Sequence, residues 1–415
     1  MCQLMGMNAA RPTDFTFSFK GFTKRGGGTD KHADGWGLGV FQGKGLRTFI
    51  DPSPSCSSPI ASLMCNLPVK THNMLAHIRL ATIGETCTEN VHPFTRELWG
   101  INWCFAHNGD LPHFSHGQRP GLGRAFQLGL RPATPFSPTA PTPPRSSHPS
   151  STDDPFPPPP LHRSPSFNFT ELSPAACKTT MNARRVFNPV GTTDSEAVFV
   201  EIMNAIANHF DVSEGLPSSA ELYDFVKVLC VEIVEGGNEY ARLGGTEESR
   251  VEGGIEDQLP IFNFLLCCGE GVQFAFSYPG RRPGSTVWNG LHYLVRKPPF
   301  KPASLIDCDV AIDFADVTCE EDQVAVIATQ PLTSDENWVE MEKGELILFE
   351  YGTPYSSSNM GSISQSVSWD VVDVTALQSD CVCDKDFSSP ARNPELNPER
   401  RNRGSSMGSH SEGRE

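Results

Sequence analysis

The sequence begins Met1-Cys2-Gln3-Leu4-Met5-Gly6-Met7, and this start organises the interpretation of the rest of the chain. The side chain of cysteine is small enough for the initiator methionine to be removed in front of it. Removal would leave Cys2 with a free α-amine of pKa about 7.7–8.0 beside a nucleophilic thiol. One residue would then supply both nucleophile and base. The apolar residues behind it predict a short strand that carries this terminus into a sheet.

Composition limits the partners of the chain. The 415 residues could form one large or two ordinary domains, with 38% hydrophobic and 20% charged residues. The formal net charge of −16 argues against a nucleic acid or an anionic membrane as partner, since both require surfaces rich in Lys and Arg. We therefore expect neither a nucleic acid nor a membrane as a partner.

Cysteine usage and the absence of a leader indicate a cytoplasmic protein. The first residues lack a basic signal-peptide start, and no apolar run approaches the ~20 residues that a membrane span needs. Thirteen scattered cysteines predict reduced thiols rather than a disulfide framework. The close pairs Cys267-Cys268 and Cys381-Val382-Cys383 do not have zinc-ligand spacing, so we predict no metal and no cofactor.

Two interior segments carry glycines or polar groups at strand ends. The run Arg25-Gly26-Gly27-Gly28-Thr29 could be a phosphate loop, but the better interpretation is close backbone packing beside a strand at 36–41. A strand is predicted at 74–82, and another at 101–106 leads into His107-Asn108-Gly109-Asp110. Asn-Gly is a typical hairpin turn. The same turn could instead direct an Asn amide and a Gly N–H at a developing oxyanion.

Proline and serine dominate from residue 112. Residues 112–185 are predicted to be a disordered insertion that could bind a proline-recognising partner or be merely tolerated. Residues 353–415 are predicted to be a disordered polar tail. A capping box at Thr193 and Glu196 predicts a helix, and Ser218 with Glu221 predicts a second one that ends at the Gly236-Gly237 pair.

Strands and helices come in blocks rather than in alternation. This arrangement predicts an α+β domain, 2–111 and 186–352, in which antiparallel sheets are covered by helices. Arg79, His92 and Asp194 would individually be ordinary ion-pair, core or capping residues. Their coincidence with Cys2 and Asn108-Gly109 favours a site, whereas His77 and His107 are interpreted as structural.

The ordered set of motifs resembles the class II glutamine amidotransferases, which use an N-terminal cysteine, and more narrowly their single-domain YafJ type. No motif is specific alone, and together they span residues 1–111 and about 186–350. The segments that carry the resemblance are residues 1–6, 25–29, Asp34-Gly35-Trp36-Gly37, Ala76-His77-Ile78-Arg79, 89–100, Ala106-His107-Asn108-Gly109, 191–196 and 326–333.

The resemblance implies an N-terminal nucleophile hydrolase fold with four layers in αββα order. Cys2 would attack the side-chain amide of glutamine, giving a γ-glutamyl thioester and ammonia, and water would then release glutamate. Asn108 and the N–H of Gly109 would form the oxyanion hole. Arg79 would bind the α-carboxylate of the substrate. The remaining implied substrate-binding residues are Asp194 for the α-ammonium, and Thr82 and His92 lining the pocket.

The resemblance leaves the physiological reaction open. About 65 polar residues follow Glu350, too few for a domain that consumes ammonia, so ammonia would pass to a separate subunit or be released. A γ-glutamyl peptide of the glutathione type, cleaved with a peptidase subunit, is the alternative substrate. The non-enzyme alternative is an inert scaffold of the same fold that displays the proline-rich segment.

Overall fold

A seven-stranded antiparallel sheet holds the start of the chain at its centre. The computed structural model describes residues 2–81, 85–114, 185–243, 259–281 and 288–359. In this first sheet the strand order is β13-β9-β12-β1-β4-β2-β3, so β1 lies between β4 and β12. Its strands are β1 (Gln3–Asp14), β2 (Trp36–Gln42), β3 (Gly45–Asp51), β4 (Lys70–Ile78), β9 (His292–Arg296), β12 (Val324–Ala328) and β13 (Val339–Glu340).

A second antiparallel sheet has six strands in the order β15-β14-β8-β7-β6-β5. Its strands are β5 (Phe94–Leu98), β6 (Ile101–Asp110), β7 (Ile261–Cys268), β8 (Val272–Tyr278), β14 (Glu345–Glu350) and β15 (Thr353–Tyr355). A separate short pair joins β10 (Pro302–Ser304) to β11 (Ala311–Asp313). Asp110 pairs with Ile261, so β6 continues through the predicted Asn-Gly turn. The turn prediction was wrong because pairing with β7 overrides the local preference of Asn-Gly.

Side chains of successive residues alternate between two cores, as the pleat of a strand requires. In β1, Leu4 contributes to the core between the sheets, whereas Met5 and Met7 pack on the opposite side beneath two helices. In β6, Ala106 lies between the sheets and Phe105 faces the other helix pair. The layers are therefore helix, sheet, sheet, helix, as predicted. The helices are α1 (Thr16–Lys24) and α2 (Pro59–Met64) over the first sheet, and α3 (Asp194–His209) and α4 (Ser219–Arg242) over the second.

Helix α4 starts as predicted but ends later. Ser218 and Glu221 form the predicted capping box. The helix passes through Gly236 and Gly237 to Arg242. A Cβ at Gly237 would lie 2.9 Å from the ring atoms of His113 and Pro260, so this glycine serves close packing rather than helix termination. None of the helices that the structure describes is both long and apolar enough to cross a membrane.

The N-terminus of α3 differs in detail from the predicted capping box. Thr193 Oγ1 accepts the N–H of Glu196 at 3.2 Å, as expected. The Glu196 carboxylate, however, accepts the N–H groups of Val190 and Gly191 and pairs with Arg96 at 2.7 Å. The Glu196 carboxylate therefore anchors the segment that precedes the helix, and does not bond to the backbone N–H of the N-cap residue as a capping box would.

Ordered structure extends slightly past two predicted boundaries. Residues Pro112–Phe114 form a 3₁₀ helix with Phe114 buried, inside the predicted insertion. Residues Thr353–Tyr355 form β15 on β14, inside the predicted tail. Apolar contacts of Phe114 and Tyr355 with the core explain both extensions. The remainder of both segments, residues 115–184 and 360–415, lies outside the described residues.

Candidate functional site

Cys2 lies one residue before β1, half-buried, where β4 ends. Gln3 pairs with Ile78 in an antiparallel register, which brings the thiol to the residues that follow β4. The N–H of Leu80 donates to Cys2 Sγ at 3.4 Å. Burial raises the pKa of the Cys2 thiol, and the negative charge of Asp194 adds to this effect. The Leu80 N–H and the positive charge of Arg79 act in the opposite direction.

Arg79 directly follows β4 and is buried, with 3% of its surface exposed. Its Nη1 donates to the carbonyl of Glu85 at 3.0 Å. Its backbone N–H donates to the carbonyl of Gly35 at 2.8 Å, and the carboxylate of Asp34 accepts the N–H of Ala81 at 2.8 Å. The Asp34-Gly35 loop therefore fixes the backbone on which the guanidinium is mounted.

Asp194 is the first residue of α3 and is also buried. One carboxylate oxygen accepts the N–H of Leu111 at 2.8 Å, and the other accepts the N–H of Ser195 at 2.8 Å. Burial raises the pKa of the Asp194 carboxyl, and these hydrogen bonds oppose the rise. A carboxylate at a helix N-terminus is also favoured by the helix dipole. The site thus holds an anion and the cation of Arg79 within electrostatic range of one thiol.

Asn108 is fully buried on β6. Neither the Oδ1 nor the Nδ2 atom has a hydrogen-bond partner among the residues that the structure describes. Its backbone carbonyl, in contrast, accepts the side-chain Nδ2 of Asn263 at 3.0 Å. A buried polar group without a partner costs about 1–3 kcal/mol. Such a cost is expected where a group is kept for a ligand rather than for stability.

Strand alternation places Cys2 and Arg79 on one sheet and Asn108 on the other, on surfaces that face each other. Leu4 and Leu75 lie between the sheets, and continuing the alternation puts Cys2 and Arg79 on that same face. Ala106 lies between the sheets from the opposite side, so Asn108 faces the first sheet. Asp194 bonds to the residue after β6 and acts on the Cys2 thiol, so both strand ends meet at one corner of the sandwich.

The side chain of His107 points away from the first sheet, toward α3, and Gly109 lies beside its ring. His107 Nδ1 lies 2.8 Å from Ser195 Oγ, and Nε2 lies 3.3 Å from the carbonyl of Ile261. A Cβ at Gly109 would overlap the backbone carbonyl of Ile261 on β7 and lie 2.5 Å from His107 Nε2, so only glycine fits between this strand and the imidazole. Burial lowers the pKa of His107 to about 4, which keeps the ring neutral. The predicted structural role of His107 agrees with these contacts.

His92 is buried in a ring stack. Its ring centroid lies 4.0 Å from that of His77 and 4.5 Å from that of Phe94. Burial holds the pKa of His92 well below its usual value. Thr82, the other predicted pocket residue, lies outside the described residues. Within the described segments, no group of three or more His, Cys, Asp or Glu side chains is arranged to hold a metal ion.

A family model for class II glutamine amidotransferases matches residues 1–125, 172–243 and 256–370. The chain belongs to this family. The matched segments contain Cys2, Arg79, Asn108 and Asp194, and the first gap, 126–171, falls inside the predicted insertion.

Individual relatives extend over most of the chain. YafJ of Escherichia coli, a candidate glutamine amidotransferase, is 34% identical over 352 residues, which cover 85% of this chain and 98% of YafJ. A candidate glutamine amidotransferase of Haemophilus influenzae is 32% identical and covers 85% of each chain. The crystal structure of a predicted glutamine amidotransferase from Pseudomonas aeruginosa has 28% identity and a TM-score of 0.44, covering 85% of this chain and 99% of that one.

Two residues that support the site of this amidotransferase were given no role from sequence alone. Asp34 fixes the backbone after Arg79, and Asn90 joins the segment after β4 to the segment before α3. Both occur inside quoted motifs, Asp34-Gly35-Trp36-Gly37 and the 89–100 segment. Their positions in those motifs were the available signal. Their partners are backbone groups, however, which no side-chain pattern identifies.

Proposed function

We propose that this class II amidotransferase hydrolyses the side-chain amide of glutamine with Cys2, after removal of Met1, as an N-terminal nucleophile hydrolase. The observation that carries the proposal is the fully buried amide of Asn108, without a partner among the described residues, near a Cys2 thiol that is subject to the charges of both Arg79 and Asp194. The ammonia would pass to an acceptor or partner subunit. In the reducing cytoplasm, the proposed location, the thiol stays free.

The resting thiol needs a base. Because burial raises the pKa of Cys2, the sulfur is protonated near neutral pH and is a poor nucleophile in that form. The α-amine exposed by removal of Met1 has an unperturbed pKa of about 7.7–8.0 and can accept the thiol proton. No imidazole is needed for this step, and burial keeps those of His92 and His107 neutral.

The reaction then follows in two stages, formation of a thioester and its hydrolysis. Sγ adds to the amide carbon, and the carbonyl oxygen becomes an oxyanion that Asn108 Nδ2 and the N–H of Gly109 stabilise. The carbon–nitrogen bond breaks, the α-amine returns its proton to the nitrogen, and ammonia leaves behind a γ-glutamyl thioester. Water adds to the thioester, the carbon–sulfur bond breaks, and glutamate and the thiol are released.

The α-groups of the substrate account for the two charges. Glutamine presents one carboxylate and one ammonium on the same carbon. The planar guanidinium of Arg79 can bind the carboxylate through two parallel hydrogen bonds, and Asp194 can pair with the ammonium. His92 and Thr82 would line the remaining pocket. Because glutathione carries the same γ-glutamyl α-groups, these contacts alone do not select glutamine over a γ-glutamyl peptide.

The proposal is tested by glutamate release from glutamine, with glutathione assayed in parallel. Intact mass should show loss of Met1, and Cys2→Ala should remain folded with no turnover. Cys56→Ala is the matched control, because Cys56 is an exposed thiol whose backbone N–H donates to the carbonyl of Gly26. Full activity of Cys2→Ala, or a retained Met1 in active protein, would refute the mechanism. Turnover of glutathione but not of glutamine would identify a γ-glutamyl peptide as the substrate. Turnover of neither compound would favour the inert scaffold.

A further inference from the structure

The side chain of Asn90 joins two segments that are about a hundred residues apart in sequence. Its Oδ1 accepts the N–H of Thr192 at 3.0 Å. Its Nδ2 donates to the carbonyl of Glu85 at 3.2 Å and approaches Thr192 Oγ1 at 3.4 Å. Only 2% of Asn90 is exposed. Both halves of this buried amide are therefore used, in contrast to the amide of Asn108.

Each end of this bridge leads to one charged group of the site. The Glu85 carbonyl that receives Asn90 Nδ2 also receives Arg79 Nη1 at 3.0 Å. On the other side, Thr192 precedes the N-cap Thr193, which is followed by Asp194 as the first helical residue. A single side chain thus connects the support of the cation to the support of the anion.

The two segments approach each other closely at Gly191. A Cβ at Gly191 would lie 2.5 Å from Asn90 Oδ1 and 2.7 Å from the carbonyl of Glu89. Any larger residue at 191 would push the two segments apart. The amide of Asn90 fits this gap because its oxygen faces a backbone donor, the N–H of Thr192, and its nitrogen faces a backbone acceptor, the carbonyl of Glu85.

We propose that Asn90 is a positioning residue that sets the separation between Arg79 and Asp194, and thereby the recognition of both α-groups of the substrate. The inference rests on the proposed function, in which those two residues bind the α-carboxylate and the α-ammonium. The two charges of an amino acid lie at a fixed separation. A displacement of one protein group by about 1 Å therefore weakens binding and can lower the rate about 100-fold.

The test compares two substrates that differ in one α-group. Glutaramate is glutamine without its α-ammonium, so its binding does not depend on the distance from Arg79 to Asp194. Asn90→Ala should lower kcat/KM for glutamine at least tenfold, mainly through KM, and lower kcat/KM for glutaramate much less. Asn90→Asp keeps the acceptor for Thr192 but sets a carboxylate oxygen against the carbonyl of Glu85, and it should change the two kcat/KM values in the same direction.

Asn204→Ala is the matched control. The side chain of Asn204 accepts the N–H groups of Val186 and Phe187 and so holds the other end of the same segment, away from the charges. Asn204→Ala should leave the ratio of kcat/KM for glutamine to kcat/KM for glutaramate unchanged. Thermal unfolding of each variant checks that it is folded, and Asn90→Asp carries the test if Asn90→Ala does not fold.

The outcomes distinguish a failure of this inference from a failure of the proposed function. An active wild-type enzyme whose Asn90 variants lose both substrates equally, or neither, would overturn the positioning role alone. The same holds if Asn204→Ala shifts the substrate ratio as strongly as Asn90→Ala. A wild-type enzyme without glutamine turnover would overturn the proposed function and the inference together.

Discussion

Two buried asparagines that face each other across β6 and β7 should lose different amounts of stability when each is replaced by alanine. Asn108 and Asn263 are direct register partners, and both are fully buried. The Asn263 amide donates to the Asn108 carbonyl and lies 3.5 Å from Ser277 Oγ, whereas the Asn108 amide has no partner in the described part of the chain. Replacing each by alanine removes the same atoms, so the cavity left behind is similar in the two variants.

The difference in stability follows from hydrogen bonding. Asn263→Ala leaves a buried carbonyl without its donor, which costs about 1–3 kcal/mol. Asn108→Ala removes a buried amide that is itself unpaired and so relieves a penalty of about the same size. With the cavity term cancelled, Asn263→Ala should be less stable than Asn108→Ala by about 2–6 kcal/mol. Asn108→Ala should nevertheless lose about 100- to 1000-fold in kcat, because it lacks an oxyanion donor.

Equilibrium urea unfolding of the two variants and the wild type, without substrate, measures this difference. Equal slopes with denaturant are required for the comparison, because only then do midpoints report stability alone. If Asn108→Ala loses as much stability as Asn263→Ala, the Asn108 amide is paired in the free protein. The argument that it is held for an oxyanion would then fail.

Three further predictions concern packing, pH and substrate binding. Gly109→Ala should cost about 3 kcal/mol or more in urea unfolding, because the new Cβ would overlap the backbone carbonyl of Ile261 and crowd the His107 imidazole. Gly236→Ala in α4, where a Cβ would lie 4.0 Å from the His113 ring, should instead stabilise by up to about 1 kcal/mol, and equal effects would contradict this. Burial lowers the pKa of His107 to about 4 from 6.5, so between these pH values the unfolded chain binds a proton that the folded chain does not. Stability should therefore fall by about 3 kcal/mol from this group as pH drops from 6.5 to 4, and an unchanged urea midpoint would refute it. Arg79→Lys keeps the charge but loses the planar fork, so KM for glutamine should rise about tenfold in steady-state kinetics with a smaller change in kcat; an unchanged KM would exclude carboxylate binding by Arg79.

Local patterns predicted much of the secondary structure and little of its assembly. Apolar runs located β7 at Ile261–Cys268, and capping residues located the start of α4. The position of β1 between β4 and β12 could not be predicted, because its partners lie about 70 and 320 residues away and leave no local signal. Asn-Gly was wrongly predicted to turn for the same reason, since the strand that overrides the turn, β7, lies about 150 residues later.

For the site, sequence indicated residue types but not their supports. The roles of Cys2, Arg79, Asn108 and Asp194 follow from the family resemblance and remain proposals, although the structure brings these residues to one corner. The hydrogen bonds that hold them end on backbone groups. Backbone donors and acceptors are the same at every residue, so a sequence gives no indication of which ones a side chain such as Asn90 will meet.

The register of β1 decides whether this corner can be a site at all. Successive side chains of a strand face opposite ways, so a shift of one residue would turn the Cys2 thiol from the space between the sheets toward the α1 layer. Both neighbours of β1 oppose such a shift. Gln3 is paired with Ile78 on one side, and on the other Leu4 exchanges hydrogen bonds with Thr329 through its N–H, at 2.9 Å, and its carbonyl, at 3.1 Å. The residue that precedes this central strand is thus fixed by two ladders, and in the proposed mechanism removal of Met1 would leave the α-nitrogen of Cys2 as the base.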